Sequence, residues 1–326
     1  MLGGFFIVAI KGKEADQETV DFLKTFKPSG VILFSYNIPD SVDELREFLY
    51  SLKGKVGYNF FFCVDEEGGR VMRIKTPFEL PPARQIGEMY EKGMISDEDI
   101  FELGEKLGSF LASCGVDVNF APVVDLYGYN FSVIGDRAFS SDPLTLGKIA
   151  RAFAKGMKSG GVLPVAKHFP GHGLVLQDSH KELPVSYCDE EEIKKHILPF
   201  KMVSDDVYGI MTAHIVLKNL DSLPCTISRR CIAELKSFFR GCVITDDLTM
   251  DALKGFGSIG DVALLSFEAG CDAILICKPD YNLLADVFEK FSKDVKKRVS
   301  EGRIRDSVQR VAFLRFKRSF ARKSSI

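Results

Sequence analysis

Residues 161–173 read Gly-Val-Leu-Pro-Val-Ala-Lys-His-Phe-Pro-Gly-His-Gly, and Asp178-Ser179-His180 follows after four more residues. The apolar run that opens this stretch is typical of a buried strand, and the proline and glycines after it predict a turning loop. In extended backbone, residues two apart point the same way, so Asp178 is placed to orient and polarise His180. The stretch therefore predicts a strand that ends at a reaction site, although a surface ion pair between Lys167 and Asp178 is the plainer alternative.

Seven similar apolar segments occur along the chain, separated by helix-like segments. The predicted strands are 5–10, 31–34, 60–64, 116–120, 163–166, 209–212, 242–245 and 273–276. Continuous apolar strands separated by helices indicate a parallel sheet that is covered on its faces. Eight such repeats favour closure into a (β/α)8 TIM-type barrel. An open doubly wound sheet is less favoured, because Lys11-Gly12-Lys13 follows the first strand where a glycine-rich phosphate loop would stand.

The length of 326 residues fits one catalytic barrel domain spanning 1–326. From about residue 293 to 326 the chain is basic, with apolar residues interspersed, which predicts a C-terminal helical tail that packs on the barrel with a solvated basic face. Attraction to nucleic acid or another acidic polymer is the alternative for this tail. The formal net charge of −2 argues against a general polyanion binder, so no nucleic-acid partner is expected.

Composition also bears on the compartment. No apolar run approaches the roughly 18 residues that span a bilayer, so no membrane partner is expected. The apolar N-terminus has no positive residue ahead of it and reaches Lys11 early, so it is interpreted as a first strand rather than a signal peptide. The eight cysteines are scattered without a C-x-x-C pair, which indicates neither a zinc knuckle nor a disulfide framework. A reduced, cytoplasmic protein is expected.

Charged residues and histidines follow the predicted strands one after another. In TIM-type barrels, the face at the carboxyl ends of the strands carries the chemistry. Chance placement at strand after strand is improbable, so this pattern is the strongest argument within the sequence for an enzyme. The residues at or just past the strand ends are Asp65, Asp125, Lys167, His168, His214, Asp246 and Lys278.

Two acidic segments supply candidate reactive or binding groups. In Thr245-Asp246-Asp247-Leu248-Thr249-Met250, one aspartate is expected to cap the next helix and the other to act as nucleophile or base. Residues 65–73 combine acids and arginines around a glycine turn, which suits a ligand with many hydroxyl groups. Internal salt bridges are the alternative for that segment, and the same two interpretations apply to Arg137 in 134–139.

Metal binding is the rival interpretation of the histidines. His168 and His172 have the spacing of helical ligands, but Pro170 and Gly171 between them forbid a regular helix. A loop could still bring both of them to a zinc ion together with the 178–180 segment.

Taken together, these segments resemble the β-N-acetylglucosaminidases of glycoside hydrolase family 3. The matching segments occur in the order of the family and span most of the chain. The Asp-Ser-His element separates this branch from the β-glucosidases of the family, which take their acid from a glutamate in another domain. The matching segments are 64–71, 134–139, 167–173 with 178–180, 211–214 and 245–250.

The resemblance implies a (β/α)8 barrel that removes a terminal β-linked N-acetylglucosamine with retention of configuration. It implies Asp246 as the nucleophile, His180 as general acid and then base, and Asp178 as the partner of His180. It implies neither a metal nor another cofactor, and it makes Arg70 structural. The substrate would be a small oligosaccharide or muropeptide-like molecule, from peptidoglycan fragments or chitooligosaccharides. The residues implied to hold the sugar are Asp65, Arg73, Arg137, Lys167 and His168.

The chemistry of the residues agrees with that assignment. A retaining mechanism needs the nucleophile within about 5–5.5 Å of the acid/base group, so the loop that carries 178–180 must fold over the barrel mouth when substrate binds. Imidazole has a reference pKa of about 6.5 and can give and take a proton near neutrality, and Asp178 should raise the pKa of His180 by its charge. The linker 174–177, Leu-Val-Leu-Gln, is more apolar than expected for a mobile loop.

Three other functions compete with this one. A neutral imidazole does not repel phosphate as a carboxylate would, so phosphate could replace water in a β-N-acetylglucosaminide phosphorylase. A metal-dependent hydrolase could use a similar barrel. A non-catalytic sugar-binding protein would need neither Asp246 nor the pair of Asp178 and His180, so their presence argues against it.

Overall fold

Ten strands and ten α-helices make up the part of the chain that the computed structural model describes, residues 2–128, 133–179 and 181–316. The strands are β1 (Phe6–Ala9), β2 (Gly30–Leu33), β3 (Phe61–Val64), β4 (Val118–Asn119), β5 (Leu163–Phe169), β6 (Val185–Ser186), β7 (Gly209–Thr212), β8 (Val216–Leu217), β9 (Cys242–Ile244) and β10 (Ile274–Ile276). The helices are α1 (Gln17–Phe26), α2 (Val42–Val56), α3 (Ala83–Glu91), α4 (Asp97–Cys114), α5 (Pro143–Ser159), α6 (Glu190–Val203), α7 (Arg229–Phe238), α8 (Ile259–Ala269), α9 (Tyr281–Arg298) and α10 (Glu301–Phe316).

Eight of these strands form one parallel sheet in the order β10-β1-β2-β3-β4-β5-β7-β9. A parallel bridge between Ile244 and Ala273 joins the two ends, where the Thr245 N–H donates to the Ala273 carbonyl at 3.0 Å. The sheet thus closes on itself with helices outside it, which confirms the predicted (β/α)8 TIM-type barrel. The short strands β6 and β8 pair with each other outside the barrel and were not predicted, because two-residue strands leave no periodicity in a sequence.

Alternate residues of each barrel strand face two different layers of apolar side chains. In β1, Phe6 and Val8 join the cluster between barrel and helices, whereas Ile7 and Ala9 join the cluster inside the barrel. Both faces of each strand are therefore buried, which explains why the strands are continuous apolar runs in the sequence. Because side chains fill the interior, polar chemistry is placed at the carboxyl ends of the strands and in the residues that follow them. The strand β5 is longer than the predicted 163–166, so Lys167 and His168 are its last polar residues.

Helix α10 covers the amino-terminal mouth of the barrel. Its Val311 and Leu314 join the cluster inside the barrel. Asp272, which is fully buried just before β10, contacts three cations and the hydroxyl of Ser307 through Oδ1. The cations are Lys236, Arg303 and Arg310, at 3.2, 3.1 and 3.3 Å. Part of the basic face that was expected to be solvated is thus turned inward, because a buried carboxylate there needs counterions.

Two further features concern helix hydrophobicity and cysteine pairing. None of the described helices is long and apolar enough to cross a membrane. Cys225 and Cys231 form a disulfide, with their Cα atoms 5.3 Å apart. The expectation that the chain has no disulfide was wrong for this pair: a short turn, Cys225–Ile227, runs into α7 and brings the two residues together. The other six cysteines are free.

Candidate active site

A cavity of about 230 Å³ opens at the carboxyl ends of the barrel strands. Most of the residues singled out by the sequence meet there. Asp178 adjoins Ser179, which lines the cavity, and His180 lies outside the described residues. The predicted residues that line the cavity are Asp65, Arg73, Arg137, Lys167, His168 and Asp246.

Lys167 lies at the centre of a charged network in this cavity. Its Nζ is 2.5 Å from Oδ1 of Asp65 and 2.5 Å from Oε1 of Glu67. Arg137 donates to both oxygens of Glu67, from Nε at 2.7 Å and from Nη2 at 2.9 Å. Lys167 is only 2% exposed, so the suggested surface ion pair between Lys167 and Asp178 is wrong.

The charges in this network hold one another in the ionised form. Burial alone would lower the pKa of Lys167, but Asp65 and Glu67 outweigh it and raise that pKa. Burial would likewise raise the pKa of Glu67, but Lys167 and Arg137 hold it well below its usual value. The sequence did not predict a separate role for Glu67. Its partner Arg137 is 70 positions away, and no local pattern connects the two residues.

The turn after β3 presents Arg73 to the cavity. Glu66 is fully buried, and its Oε2 accepts the backbone N–H groups of Arg73 and Ile74 at 2.9 and 3.0 Å. Burial raises the pKa of Glu66 to about 7. The guanidinium of Arg73 lies 5.9 Å from the ring centroid of Phe34, another residue of the cavity wall.

Arg70, in contrast, forms hydrogen bonds with the segment 133–136. Its Nε donates to Asp136 at 2.6 Å and its Nη2 to the Val133 carbonyl at 2.8 Å. These contacts tie the turn after β3 to the segment that carries Arg137. They fit the structural role that the resemblance implies for Arg70.

Asp125 contacts both His168, near the end of β5, and His172, in the loop that follows it. It is fully buried, and its Oδ2 lies 2.7 Å from Nδ1 of His168 while its Oδ1 accepts the backbone N–H of His172 at 2.6 Å. Burial would raise the pKa of Asp125, but its contacts with His168 and His172 hold it below the usual value. The sequence predicted that Asp125 lies at a strand end, but it did not predict its contacts with the two histidines.

The glycines after β5 allow this loop to turn tightly. Gly171 has a φ of +129°, and a Cβ on Gly173 would stand 2.4 Å from the carbonyl oxygen of Leu126. Side chains at these positions would push the loop away from Asp125. The peptide bonds Lys167–His168 and Phe169–Pro170 are both cis.

The adjacent aspartates after β9 have separate tasks. Asp247 accepts the N–H groups of Thr249 and Cys277 at 3.0 and 2.9 Å through Oδ1, and the Thr249 hydroxyl at 2.5 Å through Oδ2. Asp246 accepts the N–H of Asp247 at 2.8 Å and lines the cavity. Burial would raise the pKa of Asp246, but His168 and other neighbouring groups outweigh it and keep the pKa low. Asp246 is thus an ionised carboxylate at the cavity. Asp247 holds the turn and does not cap the next helical segment, whose N-cap is Met250, so that part of the expectation was wrong.

Two other residues that follow strands lie away from the cavity wall. The ring of His214 is buried, with Nδ1 2.7 Å from the Thr226 hydroxyl and Nε2 2.9 Å from the Asp247 carbonyl. Lys278 is exposed, and its Nζ lies 3.8 Å from Asp280. His214 therefore contacts the backbone of Asp247, the residue after the nucleophile candidate, and Lys278 is not part of the described cavity.

The loop that carries Asp178 is anchored on the barrel. Leu174 and Val175 are buried in the apolar cluster under the helices, which accounts for the apolar linker noted in the sequence. The Asp178 side chain is 25% exposed, and Lys181 Nζ lies 3.9 Å from it. Because His180 is outside the described residues, its pairing with Asp178 stays a prediction. Ser179, in the same loop, lines the cavity.

The described residues form no recognisable metal-binding site. They contain no group of three or more histidine, cysteine, aspartate and glutamate side chains arranged to hold an ion. His172 Nε2 is 2.9 Å from the Ser179 hydroxyl, so this nitrogen is engaged within the protein. The suggested zinc set also includes His180 and stays a prediction.

Comparison with known proteins agrees with this geometry. The model of the glycosyl hydrolase family 3 N-terminal domain matches residues 6–314. A β-hexosaminidase of Nitrosomonas eutropha is 36% identical over 307 residues, which cover 90% of this chain and 87% of that protein.

Solved structures give the same result. NagZ from Neisseria gonorrhoeae, in complex with N-trifluoroacetyl-D-glucosamine, superposes with a TM-score of 0.81 at 29% identity, covering 99% of this chain and 98% of that one. A family 3 β-N-acetylglucosaminidase from a Paenibacillus species has a TM-score of 0.90 at 27% identity, and this chain spans 62% of its length. The chain therefore belongs to glycosyl hydrolase family 3 and is a glycoside hydrolase of its β-hexosaminidase group.

Proposed function

We propose that the protein is a retaining exo-β-N-acetylglucosaminidase that releases terminal, non-reducing β-linked N-acetylglucosamine. The observation that carries this proposal is the position of Asp246. An ionised carboxylate with one side engaged by a backbone N–H lines the same cavity as Lys167 and Ser179. A carboxylate that is fixed, charged and open to a sugar-sized space is suited to attack an anomeric carbon.

The sugar would be held by the charged side of the cavity. Asp65, Lys167 and Arg137 present carboxylate, ammonium and guanidinium groups that are fixed by their contacts with one another or with Glu67. Vicinal hydroxyl groups pair well with such rigid donors and acceptors. We assign Arg73 and His168 to the same task because both line the cavity.

The size and the remaining lining support a single terminal N-acetyl sugar. A cavity of about 230 Å³ is smaller than the roughly 300–1,000 Å³ pockets that take drug-sized ligands, so its described walls suit about one sugar ring. Much of the remaining lining is apolar and can take the methyl group of an acetamido substituent. These residues are Ile32, Phe34, Val71, Val133, Met211, Met250, Leu275 and Cys277. The Neisseria gonorrhoeae relative was solved with an N-acylated glucosamine analogue.

The proton transfers are assigned to His180 with Asp178 as its partner. Asp246 attacks the anomeric carbon from one face while the protonated imidazole of His180 gives its proton to the leaving oxygen, and a covalent glycosyl-enzyme forms. The neutral imidazole then takes a proton from water, which displaces Asp246 and restores the configuration. We further propose that the enzyme acts in the cytoplasm on small peptidoglycan fragments or chitooligosaccharides.

The charges of the cavity favour water over phosphate in the second step. Four carboxylates line the described walls, Asp65, Glu67, Asp246 and Asp247, against the three cations Arg73, Arg137 and Lys167. Lys167 and Arg137 already contact carboxylates of the protein, Asp65 and Glu67, at 2.5–2.9 Å. A phosphate dianion would meet net repulsion there, so we place hydrolysis ahead of the phosphorylase alternative.

One panel of assays tests the reaction class. An aryl β-N-acetylglucosaminide and the matching β-glucoside are incubated with and without phosphate, and with and without a chelator. We expect release only from the acetamido sugar, unchanged by the chelator, with free N-acetylglucosamine appearing first as the β-anomer by proton NMR. Sugar 1-phosphate that grows with added phosphate would establish the phosphorylase. Loss of activity on chelation would establish a metal-dependent hydrolase, and no release from either sugar would overturn the proposal.

A further inference from the structure

Ser179 makes one contact within the loop after β5 and another with the segment after β9. Its hydroxyl lies 2.9 Å from Nε2 of His172, and its carbonyl oxygen accepts the N–H of Ala252 at 3.2 Å. Ala252 belongs to the turn Asp251–Phe256, which follows the strand that carries Asp246. Ser179 is 2% exposed and lines the cavity. The residue next to Asp178 is therefore held from both sides.

His172 is itself held rigidly. Its backbone N–H donates to Asp125, the same carboxylate that contacts the His168 ring, and its ring packs edge-on against His168 with centroids 6.1 Å apart. The ring is 2% exposed, and burial lowers the pKa of His172 to about 4. At neutral pH it is an uncharged imidazole, with one nitrogen that donates and one that accepts.

We propose that His172 and Ser179 form a latch that holds the loop carrying Asp178 at the cavity that Asp246 also lines. The latch rests on the proposed function, since it serves the acid/base group of that mechanism. Both residues are positioning residues: the proton transfers belong to His180, and the latch sets where that group stands. Leu174 and Val175 lie between the two latch residues in the sequence. Both are buried, so fewer residues of the loop are left without packing contacts.

Rigid placement matters because the two reacting groups come from different strands. A retaining mechanism requires the acid/base group at about 5–5.5 Å from the nucleophile, and misplacement by about 1 Å can cost on the order of 10²-fold in rate. Ser179 bonds to the β5 loop through its side chain and to the β9 loop through its backbone. This arrangement couples the position of the acid/base segment directly to the loop of the nucleophile.

The test measures kcat/KM for substrates that differ in their need for a proton. Dinitrophenyl β-N-acetylglucosaminide needs no acid for its first step, whereas a β-linked N-acetylglucosamine disaccharide does. For Ser179→Ala we expect kcat/KM to fall about 10- to 100-fold on the disaccharide and less than about threefold on the dinitrophenyl substrate. Ser186→Ala removes another buried hydroxyl from the same connection and should leave both values unchanged.

A double-mutant cycle with His172→Gln then tests the pairing itself. If the two residues act as one latch, the double variant should lose no more activity than either single variant. Equal losses on both substrates, additive losses, or full activity of Ser179→Ala with a native thermal midpoint would each overturn the latch. Should Ser179→Ala fail to fold, Ser179→Thr, which keeps the hydroxyl, must retain the disaccharide activity or the latch is likewise wrong. If the wild-type protein releases no sugar at all, the proposed function fails first, and the latch with it.

Discussion

Nε2 of His214 lies 2.9 Å from the backbone carbonyl oxygen of Asp247. A carbonyl only accepts, so Nε2 carries the proton, and Nδ1 is left to accept from the Thr226 hydroxyl at 2.7 Å. Burial lowers the pKa of His214, in keeping with this neutral form. The bond fixes the peptide that follows Asp247, in the turn that also carries Asp246, so we expect His214 to help position the proposed nucleophile.

His214→Ala should therefore reduce kcat/KM by about 10- to 100-fold for every substrate, since all of them need a correctly placed nucleophile. Steady-state assays on a dinitrophenyl glycoside and a disaccharide check this. His214→Gln can keep the donor to Asp247 and should retain more activity than His214→Ala. A loss confined to the disaccharide would instead place His214 in the proton-transfer pathway and contradict its assignment to the nucleophile.

Glu66 predicts a stability that depends on pH. Its pKa is raised from 4.5 to about 7 in the folded protein, chiefly by burial. Between these values the native state binds more protons than the unfolded state, so stability falls as pH rises through that window. The whole shift corresponds to about 3 kcal/mol. Glu66→Gln removes the titration and keeps an acceptor for the N–H groups of Arg73 and Ile74.

Urea unfolding at pH 5 and pH 8 checks this prediction. The variant and the wild type should be similarly stable at pH 5, and the variant should be the more stable of the two at pH 8. Glu79→Gln, at an exposed position of the same loop, is the matched control and should follow the wild type at both pH values. A stability difference between Glu66→Gln and wild type that is the same at both pH values would contradict the titration.

Asp272→Asn should destabilise the protein through helix α10. The variant leaves the charges of Lys236, Arg303 and Arg310 without their shared buried carboxylate, and breaking a buried ion pair costs about 3–5 kcal/mol. Chemical denaturation measures the loss, and limited proteolysis should cut within 301–316 first. Asp294→Asn removes an exposed ion pair with Lys297 and should leave stability unchanged. Equal behaviour of the two variants would show that Asp272 does not anchor the helix.

The barrel could be predicted from the sequence because its strands are apolar on both faces. The site could be predicted because the closed sheet brings the carboxyl ends of all its strands to one rim. Asp65, Lys167 and Asp246 meet for that reason. The contacts between side chains could not be predicted in the same way. Glu67 bridges Lys167 and Arg137 across distant segments, which only the packed structure specifies.

The pair Asp246 and Asp247 shows which part of the site could not be predicted from the sequence. The sequence indicated that one of the two would be structural, and the choice between them depended on Thr249 and on the N–H of Cys277, 30 residues away. The disulfide between Cys225 and Cys231 was missed because its spacing matches no standard motif. The basic face of the C-terminal tail was expected to be solvated, since nothing in its own sequence reveals the buried Asp272.

The assignment of Asp246 as nucleophile is tested most directly by Asp246→Ala with dinitrophenyl β-N-acetylglucosaminide, in the absence and presence of azide. Without azide, turnover should fall by several orders of magnitude while the fold and thermal midpoint are kept. Azide can enter the space left by the carboxylate and attack from the same face, so it should restore turnover and yield the α-glycosyl azide. Full activity of the variant without azide, or a β-glycosyl azide as the product, would contradict the account.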